Sequence, residues 1–192
     1  MLLKELTSLQ IHTIPAGQTF YRVQRRRSAT STVKAGPLRL APPGLLMGRF
    51  DLADNVAAYM AESPEAALYE ALFRRETVMV SMSSMGKREL VAIQFTKDTS
   101  LGDLRHSAGS LPVLQSLRFS QTQELAKSVH DESLSGVIFK SAQQFDKDCI
   151  ALVGDACLDL KLVWRSPLIG PSATLNRWVA VAANGSRIPI VP

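Results

Sequence analysis

Glu70 shares its spacing with Ala66, Ala67 and Phe73, residues three and four apart that fall on one side of a helix, so its carboxylate belongs to an apolar stripe. A carboxylate placed there costs free energy unless it is paired or used, and arginine is its usual relief. Arg49 and Tyr59 stand shortly before it in the chain. Two readings of these residue types are open: a plain ion pair between Glu70 and an arginine, or a carboxylate kept for use in a site.

Other chemistry lacks its sequence signals. No GxGxxG follows a strand pattern, and GxxxxGK[ST], GxSxG and HExxH are absent. His12, His106 and His130 are widely separated and have no Cys or Asp at ligand spacing, so no metal is expected. Cys149 and Cys157, eight apart, fit neither a CxxC redox pair nor a zinc knuckle and read as buried, reduced thiols.

The elements that must position these residues follow from pattern. Leu2, Leu3, Leu6 and Leu9 predict a short opening amphipathic helix, and Thr19 to Val23 a first strand. Residues 28–48 read as a loop through Pro42-Pro43-Gly44 into Gly48-Arg49-Phe50. Val56 to Ala61 is an apolar strand. Ser63-Pro64-Glu65 then supplies a cap, a first-turn proline and a dipole-matched acid, which predicts a helix from Pro64 to about Glu76. Met79 to Arg88 reads as a connection, 90–95 as a strand, 98–112 as loop and 122–130 as a helix. Strands over 136–141, 149–153 and 160–164 have short links that favour antiparallel neighbours. The expected class is α+β, a mostly antiparallel sheet with packed helices in a single domain over 1–192.

The chain has 192 residues, 46% of them hydrophobic and 20% charged, which suits one ordinary core. Charge at Lys4 and Glu5 interrupts any secretory leader and no apolar run reaches membrane-spanning length, so a soluble cytoplasmic protein is expected, with no membrane partner. The net charge of +5 and the run Arg25-Arg26-Arg27 would suit a phosphate-bearing small ligand. Without an RNA-binding aromatic signature or zinc-finger spacing, that run reads as a solvated loop, which argues against direct nucleic-acid recognition.

Five blocks in order carry a family resemblance: Phe20-Tyr21-Arg22; Gly48-Arg49-Phe50; Tyr59-Met60-Ala61-Glu62-Ser63 with Ala67 and Glu70; Thr122 to Ala126; and Gly136 to Ser141 followed by Cys149 to Leu152. Over residues 19–155 the chain resembles the RES-domain family, named for its Arg, Glu and Ser, with an extension beyond. The resemblance implies an ADP-ribosyltransferase-like fold that binds NAD+ without a Rossmann loop. It also implies a bacterial toxin that consumes NAD+ and is paired with an Xre-like antitoxin. Asp51 departs from the asparagine that many members carry after the Arg-aromatic pair; beside a diphosphate it would repel, so it is expected behind the site.

The resemblance gives each residue a role. Glu70, Arg49 and Tyr59 form the expected catalytic set, with Arg22, Arg49, Tyr59 and Ser141 binding NAD+ as substrate. Glu70 would accept hydrogen bonds from the ribose hydroxyls and stabilise the ribosyl cation. Arg49 would grip the diphosphate, and Arg22 would share that charge or hold Glu70. Tyr59 would stack on nicotinamide with its hydroxyl free, and Ser141 would position the ribose or Glu70. Phosphorolysis and hydrolysis are the expected outcomes; the alternatives are protein ADP-ribosylation and a silent module that binds an antitoxin or other partner. A homodimer is the default assembly.

Overall fold

The computed structural model describes residues 9–107, 114, 119–144 and 146–192. The expected opening helix lies outside them except for Leu9, as does most of the segment after Ser107. The main sheet has eight strands: β1 (Ile11–Ile14), β2 (Thr19–Arg25), β5 (Ala57–Ala61), β7 (Arg88–Phe95), β8 (Thr99–Asp103), β9 (Gly136–Lys140), β10 (Asp148–Val153) and β11 (Leu160–Pro167). Their spatial order is β1-β8-β9-β10-β5-β2-β7-β11, and every pair is antiparallel except β8 with β9. The fold is α+β, as the sequence predicts.

Helices cover one face of the sheet. α1 (Pro64–Ala71), α3 (Ser120–Asp131) and α4 (Arg177–Ser186) pack there over Ala61, Leu90 and Ala151. The other face buries Phe20, Ile93, Phe95 and Ile150 under the hairpin of β3 (Val33–Ala35) and β4 (Leu38–Leu40), with Leu38 and Leu40 pointing inward. β7 is therefore apolar without interruption from Leu90 to Ile93, since a strand covered on both faces loses the polar alternation of a surface strand.

Several expectations need correction. The hairpin β3–β4 lies in a stretch read as loop, and β8 lies in another. The segment read as a connection holds β6 (Val80–Ser81) and a five-residue helix, α2 (Met82–Gly86), with β6 paired in parallel to β12 (Ile190–Val191). α1 begins where its signals place it, with Ser63 Oγ accepting from the Ala66 N–H at 3.1 Å and Pro64 in the first turn. It ends at Ala71 rather than near Glu76, where Leu72 leaves helical geometry at φ −134° and the chain turns to bury Leu72 and Phe73. β9 and β10 are antiparallel neighbours as expected, but β11 lies at the far edge beside β7. There it closes the open side of β7, and Trp164 meets Tyr21 with ring centroids 6.0 Å apart. Cys149 and Cys157 are free, buried thiols. No helix among the described residues is long and apolar enough to cross a membrane.

Candidate active site

The sheet has a weak seam. β2 and β5 share a single residue pair, Tyr21 with Ala61, whereas β2 runs against β7 over seven pairs. Where β5 parts from β2, a cavity of about 290 Å³ opens, lined by Arg22 of β2, Tyr59 of β5, Glu70 of α1 and Arg49 of the preceding loop. Four residues widely spaced in sequence thus converge because one tight turn carries β5 directly into α1, and the Gly48 to Asp51 loop closes over both. Arg22 Nη1 donates to the Tyr59 carbonyl at 2.7 Å, so a side chain spans the seam where the backbone ladder stops.

Glu70 is held by Ser141. The hydroxyl donates to Glu70 Oε1 at 2.5 Å, and its oxygen accepts from the N–H groups of Gln143 at 3.1 Å and Gln144 at 2.9 Å. Those two backbone donors fix the oxygen, which leaves the hydroxyl proton for the carboxylate. Of the two roles expected for Ser141, the geometry fits the positioning of Glu70. Ser141 does not itself line the cavity.

Tyr59 differs from expectation in one respect. Its hydroxyl donates to Asp51 Oδ1 at 2.8 Å and accepts from the Phe50 N–H at 2.8 Å, so it is committed rather than free for a ligand. Burial, then the Asp51 charge, drives its pKa above the ordinary phenol value and keeps it neutral. Asp51 takes a second bond from the Gly48 N–H through Oδ2 at 2.7 Å. It therefore ties the loop to β5 from behind, as its departure from the family pattern suggests it must.

Two guanidiniums bring unmet hydrogen-bonding capacity. The Nε atoms of Arg22 and Arg49 are buried without a hydrogen-bond partner. Burial lowers the pKa of both, opposed most strongly at Arg49 by the Glu70 charge. Arg49 also lies over the Phe139 ring, 6.0 Å from its centroid, which holds the guanidinium against an apolar wall. Arg22 contacts the Tyr59 backbone and makes no bond to Glu70, which leaves charge sharing as the role open to it.

Three contributors escaped sequence reasoning. Arg74 lines the cavity four residues after Glu70, a spacing that could have signalled it. Cys149 lines it too, with its thiol pushed well above the ordinary range by burial and then by Glu70. Gln123 of α3 donates through Nε2 to the carbonyls of Leu46 at 3.0 Å and Gly48 at 2.9 Å, pinning the loop that presents Arg49. Nothing local in the sequence announces that bond. Of the histidines, His12 contacts Arg105 and His130 contacts Asn55, while His106 is exposed.

A model of the RES domain matches residues 19–169. The chain belongs to the RES family. The match runs past the resemblance over 19–155 and takes in β11, the strand that completes the sheet. Among solved structures, this RES protein is similar to a chain in the crystal structure of the M. tuberculosis MbcT-MbcA toxin-antitoxin complex. That likeness has a TM-score of 0.61 at 15% identity and covers 89% of this chain and 92% of the other. At that identity it speaks for the fold. No curated protein sequence matches this RES chain.

Proposed function

We propose that the protein cleaves the nicotinamide-ribose bond of NAD+. The observation that carries this reading is the charge of the cavity wall. Arg22 and Arg49, which form no ion pair among the described residues, face one carboxylate, Glu70, while Arg74 is paired with Glu76, so the wall keeps an excess of one positive charge. A dinucleotide diphosphate carries two negative charges, and its nicotinamide ring is a cation that a carboxylate attracts. The cavity, at the low end of small-molecule sites, takes the nicotinamide riboside half and leaves the adenosine half at its mouth.

The C1′–N bond breaks with its electron pair passing to the pyridinium nitrogen, so nicotinamide departs neutral and the ribosyl carbon becomes cationic. Glu70, oriented by Ser141, accepts hydrogen bonds from the ribose hydroxyls and stabilises that charge. Arg49 takes the diphosphate oxygens. The Tyr59 ring stacks on the leaving base while its hydroxyl anchors the loop. A phosphate or water oxygen then closes on C1′, giving ADP-ribose phosphate or ADP-ribose.

The proposal extends to biology: a toxin restrained by an Xre-like antitoxin. RES membership and the likeness to a chain from a toxin-antitoxin complex support it, as does an exposed apolar loop. Leu45, Leu46 and Met47 face solvent, and Met47 lines the cavity mouth, where a partner segment would cover both.

The test is incubation of the purified chain with NAD+, with and without phosphate, and identification of products by mass. Glu70→Gln and Arg49→Ala are expected to stay folded while nicotinamide release falls by roughly 10²-fold or more. Wild-type turnover in either variant, or no release by the parent protein, would reject the reading.

A further inference from the structure

A second cavity lies on the helix-bearing face of the sheet, further along β2. Arg25 ends that strand, and its register partner on β7 is Arg88. Like charges directly opposite in an antiparallel pair repel. The Arg88 guanidinium is held below its ordinary pKa by burial and then by Arg25. Arg26, Arg27 and Lys87 complete the wall of a groove of about 910 Å³.

Nothing in the groove neutralises these five cations. No carboxylate lines it, and among the described residues Arg25, Arg27 and Lys87 form no ion pair. The nearest acid in sequence, Glu89, is buried and held by Arg39. Five charges equal the formal net charge of the whole chain, +5, so charge elsewhere balances and the excess is concentrated here. A polyanion bound across such a groove would be held by all five cations at once.

The lining selects which anion. The groove has about three times the volume of the catalytic cavity, 910 against 290 Å³, which suits an extended polyanion rather than one phosphate. No aromatic side chain lines it, so it lacks the stacking platform that single-stranded nucleic acid uses. Apart from Ala29 and Gly86 every lining residue is polar, so it lacks the apolar anchors of most peptide grooves. Arginine, lysine and the hydroxyls of Ser83 and Ser84 are the groups that contact phosphodiester backbones. A sequence pI of about 9.5 with the cations on one face completes that footprint.

We propose that this groove binds the phosphate backbone of double-helical nucleic acid without reading its sequence. This departs from the expectation drawn from Arg25-Arg26-Arg27 alone, because Lys87 and Arg88 join them only in the fold. The binding does not depend on the reaction in the catalytic cavity.

The experiment uses the full chain and a fluorescein-labelled duplex of about 20 base pairs, followed by anisotropy without NAD+. Binding at about 50 mM salt is expected to weaken on the order of a hundred-fold by about 200 mM, as release of four or five counterions dictates. Arg27→Glu and Lys87→Glu, both at exposed positions, should each weaken it by roughly ten-fold or more. Lys161→Glu makes the same change of net charge at an exposed position on β11 and should stay within about two-fold of wild type. Absence of binding at low salt, or equal weakening by Lys161→Glu, overturns the proposal. So does displacement of the duplex by an equally charged poly-glutamate peptide at equal concentration, which would assign the groove to an acidic polypeptide. Unchanged nicotinamide release by Arg27→Glu would keep either outcome separate from the reading of the catalytic cavity.

Discussion

Tyr59 shows how one side chain divides its labour: the ring lines the cavity while the oxygen is spent behind it, on Asp51 and on the Phe50 N–H. Tyr59→Phe removes that oxygen and leaves a buried donor and a carboxylate oxygen without their partner, which should cost about 1–3 kcal/mol in denaturant unfolding. Turnover should fall far less than in Glu70→Gln, because the ring remains. Unchanged stability with turnover as low as that of Glu70→Gln would instead place the hydroxyl on the substrate. That Glu70, Arg49 and Arg22 share one cavity was legible from residue type and order. The Ser141 bond to Glu70 and the bracing by Asp51 and Gln123 were not, because they are set by where separate segments meet.

At the level of elements, the loop from Leu46 to Asp51 matters as much as any strand. Gly48 has no room for a side chain: a Cβ would collide with the Tyr59 hydroxyl and come within 2.5 Å of Asp51 Oδ1. Gly48→Ala should therefore displace the loop, lower stability by about 1–3 kcal/mol and reduce nicotinamide release at least as much as Tyr59→Phe. Equal thermal stability and turnover in Gly48→Ala and wild type would show that the loop tolerates displacement. Strong signals placed β2, β5, β7, β9, β10, β11, α1 and α3 from sequence, whereas β1, β3, β4, β6, β8, β12, α2 and α4 were missed. Each missed strand has five residues or fewer. β8 carries Gly102 and Asp103, which are poor strand formers, and is held by pairing to β1 and β9 rather than by local preference.

Three buried acids must keep their protons for the whole molecule to hold. Burial pushes the Cys157 thiol up to about 12, raises Cys149 well above its ordinary range and raises Tyr59 above the usual phenol value. In the unfolded chain thiols lose their protons near about pH 8.5, so the folded state binds more protons above that point and stability falls as pH rises. The contribution is complete below about pH 8.5, and the Cys157 thiol alone costs roughly 2 kcal/mol by about pH 10, which should lower the melting temperature by roughly 5 °C, with Cys149 acting in the same direction. Scanning fluorimetry from neutral to alkaline pH tests this, and Cys157→Ala should flatten part of the decline. A melting temperature constant from pH 7 to pH 10 would contradict it.

The seam between β2 and β5 joins the two parts of the main sheet by one backbone pair and the Arg22 side chain. One part holds β1, β8, β9, β10 and β5, the other β2, β7 and β11. The polypeptide switches sides between β1 and β2, β2 and β5, β5 and β7, β7 and β8, and again between β10 and β11. Weak in hydrogen bonds, the junction is laced by these covalent crossings. A single proteolytic nick in any one crossing leaves the others intact, so the two parts cannot be shed from one another as separate fragments.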